Sequence, residues 1–261
     1  MDRIIHWSDA WKLSLNASKY KTMTVTLKPN PVPYVYNVRG TELEQVETMR
    51  DLGVIIDSRL TFAAHVDNAI SKARRALGVL MRSFQFCHGQ RGIINRNAAL
   101  TAYCANVRSI LEYASQVWSG AAKTHLDRME RVQHRFLLWL TNRTETGRLS
   151  RDISYETLLR LFGLLSLASR RCQHDIMFLH SIFQGRGDSM FLLSCFFIRV
   201  PCRLDPVYFF HEPVARVKSI KHGLFCTLPR VANEFIAKCL TAHFFHESKH
   251  ELVRKVHACM F

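Results

Sequence analysis

The chain has 261 residues, of which 48% are apolar and 22% charged, with only eleven Gly and seven Pro. That balance excludes a disordered, collagen-like or linker-dominated chain and leaves enough apolar surface to bury a core. Thirty-six Lys and Arg stand against twenty-one Asp and Glu, a net charge of +15. A domain this basic ordinarily faces a polyanion, nucleic acid foremost. The longest apolar run, 191–198, is far shorter than the ~20 residues of a membrane helix. The first residues lack the apolar segment of a signal peptide. An intracellular protein, cytoplasmic or nuclear, neither secreted nor membrane-bound, is predicted. Eight Cys without a CxxC pair then read as reduced thiols.

Residues 2–12 suit a short helix carrying Ile4, Ile5, Trp7 and Trp11, which Asn16 and Ser18 end by offering the backbone local side-chain bonds. The stretch 21–28 sets Met23, Val25 and Leu27 against Thr22, Thr24 and Thr26, the alternation of a half-buried strand. A Pro-rich loop at 29–33 follows, then a strand over 34–43 that turns at Gly40 and returns. The segment 49–57 reads as a further strand, with a bulge or close backbone approach at Gly53.

After Asp57 the period changes. Ser58 or Thr61 caps a helix to about Phe86, with Phe62, Val66, Ala69, Ala73, Leu77, Leu80 and Phe84 on one face. Asn95 opens a second helix through Trp118 with a stripe of Leu100, Tyr103, Val107 and Leu111. A third, over 123–142, carries Leu126, Met129, Val132, Phe136 and Trp139. A polar stretch at 144–152 marks a boundary. Helices at 154–163 and 166–185, a stretch around Pro201, Pro206 and Pro213, and helices near 230–245 and 248–258 complete the chain. The predicted class is α+β, mainly α, organised as 1–58, 59–143 and 144–261, the middle part a three-helix bundle.

Several strings in this order resemble one family. They are WKLSLNASKYKTMTV (11–25), YNVRGTEL (36–43), DLGVIIDSRLTFAAHVDNAISKARRALGVLMR (51–82), AYCANVRSILEYASQVWSG (102–120), MERVQHRFLLWL (129–140) and the run 199–235. Together they are similar to the reverse transcriptases of non-LTR, jockey-like retrotransposons. The resemblance implies that 1–58 is the end of a polymerase palm, 59–143 a thumb that holds template–primer, and 144–261 the distal tail. It also implies a centre of two divalent ions, Mg²⁺ in an intact member, on an aromatic-x-Asp-Asp box. The sequence contains no adjacent Asp pair. The chain is therefore expected to begin after that box, to need no cofactor of its own and not to polymerise alone.

Three sets of residues carry over by position. Lys19 matches the palm-motif lysine, whose ammonium suits a role as proton donor to departing pyrophosphate; Tyr20 stands where the family has Cys. Leu52, Gly53 and Val54 match the primer-grip hairpin. In the thumb-like region, 61–150 holds thirteen Lys and Arg against five Asp and Glu, a net +8. Lys72, Arg75 and Arg82 on the first helix, and Arg128, Arg131 and Arg135 at i, i+3, i+7 on the third, are the candidates for binding RNA, RNA–DNA hybrid or DNA through phosphates. Cys239, His243, His246 and His250 would share one helical side, but ligands along one straight helix do not surround a tetrahedral ion, so no metal is predicted. Two other readings stay open: a helical protein-interaction scaffold, and the inert product of a decayed mobile element.

Overall fold

The computed structural model describes residues 2–16, 19–26, 28, 34–38, 40–88, 94–143, 153–186, 190–199, 209–214, 223–239 and 247–260. The expected loop at 29–33, the boundary at 144–152 and residues Leu27, Cys202, His243 and His246 lie outside these. The chain divides into two compact units, Met1–His65 and Val66–Phe261. Short strands in the first and helices throughout the second give the expected α+β, mainly α, class.

Among the described residues of the first unit, α1 (Asp2–Ala10) precedes six short strands: β1 (Lys21–Thr22), β2 (Asn37–Val38), β3 (Thr41–Glu42), β4 (Glu44–Gln45), β5 (Thr48–Asp51) and β6 (Val54–Asp57). They pair two by two: β1 parallel to β4, β2 antiparallel to β3 about Gly40, and β5 antiparallel to β6. Among the described residues, the strand expected over 21–28 is paired only at Lys21 and Thr22, and Val25 is exposed. An alternating strand needs an apolar partner face, which the paired residues Glu44 and Gln45 do not supply. The single strand expected over 49–57 is a hairpin instead, with Asp51 opposite Val54. Leu52 and Gly53 form its two-residue turn with φ of 44° and 89°. Positive φ at both central positions matches the right-handed twist of the flanking strands, and Gly at the second takes it without strain.

The second helix of the chain, α2 (Ala63–His88), is capped by neither of the expected residues alone. The Asp57 carboxylate accepts from the backbone N–H of Arg59 (3.1 Å), Thr61 (3.0 Å) and Phe62 (2.7 Å) and from the Thr61 hydroxyl (3.1 Å). Burial alone would push the Asp57 pKa up; these hydrogen bonds overcome it and hold the group below the usual carboxylate range. The predicted stripe is buried: Val66, Ala69, Ala73, Leu77 and Leu80 are all below a tenth exposed.

The helix expected from Asn95 to Trp118 is broken into α3 (Arg96–Tyr103), a π turn (Cys104–Arg108), α4 (Ser109–Glu112) and α5 (Ser115–Trp118). Asn95 does cap it, accepting from the Ala98 N–H at 3.1 Å. Tyr103, Val107 and Leu111 stand at strict i+4 spacing, which drifts by about 40° per step on a straight α-helix. The wider π turn takes back part of that drift, and all three are fully buried. Beyond it, Ala114 adopts φ 51° and the Trp118 indole N–H donates to the Tyr113 carbonyl at 2.7 Å. Burial of Trp118, not a helix-breaking residue, turns the chain there.

Next come α6 (Lys123–Thr141), α7 (Tyr155–Phe162), α8 (Leu167–Phe183) and α9 (Met190–Ser194). Gly163 closes α7 at φ 62°. Helices α7 and α8 both pack on α6, so the elements on either side of 144–152 share one core. The last two helices are α10 (Leu224–Lys238) and α11 (Lys249–Met260), against expectations of 230–245 and 248–258. Pro229 lies inside α10 and costs one main-chain hydrogen bond. Leu228, Val231, Ala232 and Phe235 offset that by packing with Ile176, Leu179, Phe210, Leu252 and Val256. Because α10 ends at Lys238 and α11 begins at Lys249, Cys239 and His250 do not share a helix side.

A buried polar network ties α6 to its neighbours. Gln133, fully buried, donates to the Tyr155 hydroxyl and the Leu165 carbonyl, both at 2.9 Å, and accepts from the Tyr103 hydroxyl at 3.0 Å. Tyr155 donates onward to Glu130 at 2.6 Å. Glu130 also accepts from the first N–H groups of α8, Leu167 at 3.2 Å and Ala168 at 2.7 Å, where the helix dipole favours an anion. Burial, then the charge of Glu130, pushes the Tyr155 phenol far up, so it stays a donor. Replacing Gln133→Leu should strip partners from the buried Tyr103 hydroxyl and Leu165 carbonyl. The expected loss is about 3 kcal/mol, read as a lower urea midpoint with unchanged m-value.

Candidate nucleic-acid interface

Two side-chain contacts link the basic helices α2 and α6, one near their starts and one near their ends, so the two run the same way. Near their starts, Arg128 of α6 reaches Asp67 of α2 at 2.6 Å. Near their ends, Trp139 of α6 meets Phe84 of α2 edge-on, ring centroids 6.1 Å apart.

On these helices Arg75, Arg82, Arg131 and Arg135 are exposed, and Lys72 is half-buried. Arg128 differs from its two ridge neighbours, because its charge is matched by Asp67 and His125 Nδ1 stands 3.3 Å away. Exposed Arg74 completes the set. It stands seven residues after Asp67, and so on the side of α2 that meets α6. Helical spacing from Asp67 was the signal for it, but only the Asp67–Arg128 pair says which side matters. Between Arg74, Arg75 and Arg82, Gly78 leaves open space, with nothing within 4 Å of where a Cβ would stand. Among the described residues, Arg74, Arg75, Arg82, Arg131 and Arg135 have no carboxylate within ion-pair distance.

Three carboxylates of the same unit, Glu112, Glu130 and Asp175, are held on other contacts or buried. Glu112, with a side chain 10% exposed, takes a two-pronged pair from Arg170, its second prong 2.8 Å long, and lies 3.7 Å from Arg108. His174 stands 3.8 Å from it, and burial holds that imidazole below its ordinary value. Glu130 is spent on α8 as described. Asp175 is buried on α8, with Oδ1 lacking a hydrogen-bond partner among the described residues.

The remaining predicted residues lie in the first unit. Lys19 is exposed and its backbone N–H bonds to the Asn16 carbonyl at 3.1 Å. Leu52 projects from the hairpin tip at 85% exposure, while Val54, two residues on, is buried. Among the described residues no group of three or more His, Cys, Asp or Glu could hold a metal ion, and no helix is long and apolar enough to cross a membrane.

Known proteins agree with the resemblance read from the motifs. The chain is 26% identical over 139 residues to a probable RNA-directed DNA polymerase from transposon X-element of Drosophila melanogaster, covering 53% of this chain and 15% of that protein. It is 28% identical over 143 residues to a probable RNA-directed DNA polymerase from transposon BS of the same fly, covering 52% and 15%. It is 28% identical over 137 residues to the RNA-directed DNA polymerase from mobile element jockey of Drosophila funebris, covering 52% and 14%. The matches thus span about 15% of the length of these relatives. No family model matches the chain, and no solved structure does.

The buried carboxylate of Asp175 makes a pH test of this inward arrangement. Burial, only partly countered by Arg171, pushes its pKa up to about 7. The unfolded value lies near 4, so between about pH 4 and 7 the folded chain holds a proton that the unfolded chain has released. The contribution of Asp175 to stability therefore falls as pH rises through that window and stays lost above it. Asp175→Asn should raise the urea midpoint at pH 8 relative to wild type and change it little at pH 4.

Proposed function

We propose that this chain, similar over half its length to retrotransposon RNA-directed DNA polymerases, binds nucleic acid through phosphates along α2 and α6. The reading is carried by one observation: two linked helices that run the same way expose guanidinium groups that no described carboxylate pairs, while Glu112, Glu130 and Asp175 are held on other contacts or buried. Guanidinium groups stay charged and donate bidentately to phosphate oxygens, and such bonds give affinity without sequence choice. Gly78 adds a place where a sugar–phosphate backbone can approach α2 closely. The ligand we favour is an RNA–DNA hybrid or element RNA. In the same reading, the Leu52–Gly53 turn and Val54 form a primer-facing hairpin, and Lys19 is the counterpart of the family's motif lysine.

The chain has no adjacent Asp pair, so two-metal phosphoryl transfer has no anchor in it. Primer extension with Mg²⁺ or Mn²⁺ should stay at the level of a no-protein control. Incorporation that a substitution in this chain abolishes would overturn that part of the reading.

The binding test changes Arg74, Arg131 and Arg135 together to Gln. Arg128 is left alone because its loss would also cut the link to Asp67. Affinity for an RNA–DNA hybrid should fall alike for unrelated sequences. The slope of log K against log salt should flatten by about 0.9 for each phosphate that the variant no longer neutralises. An interaction scaffold with an incidental basic face would instead show weak, salt-insensitive binding that the triple substitution leaves unchanged.

A further inference from the structure

The distal part of the second unit carries an aromatic face that the α2–α6 reading does not use. Residues 197–199 and 209–211 run antiparallel, with Ile198 opposite Phe210. The Arg199 N–H donates to the Phe209 carbonyl at 2.8 Å, and the His211 N–H to the Phe197 carbonyl at 2.9 Å. Side chains alternate across such a pair, so Phe197, Arg199, Phe209 and His211 share one face. On the opposite face Phe210 is buried among residues of α8, α10 and α11. Asn233 of α10, itself buried, pins the second segment. Its Oδ1 accepts from the N–H groups of Phe209 (3.1 Å) and Phe210 (2.9 Å), and its Nδ2 donates to the Phe210 carbonyl and the Glu212 carboxylate, both at 2.9 Å.

The outward face has the chemistry of one kind of partner. Phe197 is 66% exposed, and its ring meets that of His211 at 83°, centroids 6.5 Å apart. Arg199 is exposed on the same face, and among the described residues no carboxylate lies within ion-pair distance of it. Glu212, next to His211 in the chain, falls on the opposite face and is engaged by Asn233. Over 190–230 six Lys and Arg stand against two Asp and Glu. Exposed rings with an unpaired guanidinium suit a base and its phosphate, because every base offers a π-face and phosphate takes two hydrogen bonds from Arg. A purely apolar partner would cover Phe197 and leave the guanidinium unmatched. Bases within a duplex already have both faces covered, which points to an unpaired strand. We propose that this face is a stacking platform for single-stranded nucleic acid, an unpaired base lying against Phe197 and His211 with its phosphate on Arg199.

The test compares, on the full chain, a single strand of about twelve nucleotides with an abasic strand of equal length and charge. The wild-type chain should bind the base-bearing strand about tenfold more tightly, whether DNA or RNA. Phe197→Ala should remove most of that difference, Phe197→Trp should keep it, and affinity for an RNA–DNA hybrid should be unchanged by either. If Phe197→Ala does not fold by circular dichroism, the wild-type chain still decides. A strand carrying 5-iodouracil should photo-cross-link to a peptide that contains Phe197 or His211. Changing Arg74, Arg131 and Arg135 together to Gln should weaken both strands and keep their ratio, so this proposal and the α2–α6 reading fail separately. Equal wild-type affinity for base-bearing and abasic strands, a loss in Phe197→Ala as large for the hybrid as for the single strand, or cross-links confined to other peptides would each overturn the proposal. So would self-association that Phe197→Ala abolishes with oligonucleotide affinity unchanged, which would make the face a contact between copies.

Discussion

The carboxylate of Glu130 at the head of α8 is the interaction on which the larger unit depends. It stands on α6 yet satisfies the first N–H groups of another helix, groups that no intrahelical carbonyl can reach. Tyr155 and Gln133 complete its surroundings and extend the link to α7 and α3. A network of this kind is stabilising only when every member is satisfied, and it fixes one relative placement of the helices, where apolar packing alone would tolerate several. Tyr103 stacked on Phe136, with ring centroids 4.1 Å apart, packs the same junction from its apolar side.

That placement has an electrostatic consequence. With Glu130 committed to α8, residues one and five positions later on α6, Arg131 and Arg135, face outward. Glu112 is likewise committed to Arg170. Two acids are thus held on inward partners while Arg131 and Arg135 face solvent. A surface of that sign attracts any polyanion at long range, and distinguishes nucleic acid from an acidic protein only through shape at close range. The partly exposed pair Arg128–Asp67 contributes little energy by itself, but it links α2 to α6 near the starts of both helices.

Much of the local structure was legible in the residues. Most of the predicted stripe residues of α2 and α6 are buried, Asn95 is a cap, and a helix forms within 154–163. The misread places share a cause, which is that packing overrides local preference. Alternation over 21–28 does not make a strand without a partner face. The break at Ala114 comes from the burial of Trp118, which no turn-forming residue at that point announces. The residue pattern over 49–57 concealed the turn at Leu52–Gly53 because Leu is a rare choice for a position with positive φ.

By itself the sequence determined the helical periods, the excess of positive charge, the absence of a paired-Asp metal anchor and the similarity to retrotransposon polymerases. These are properties of residue order and composition, which need no knowledge of neighbours distant in the chain. Only the tertiary structure decided which charges are matched and which face solvent. Glu112 meets Arg170 across 58 positions and Asp67 meets Arg128 across 61. A carboxylate's partner is chosen by distance in space, and Coulomb energy and desolvation depend on that distance and on burial, neither of which a linear pattern contains.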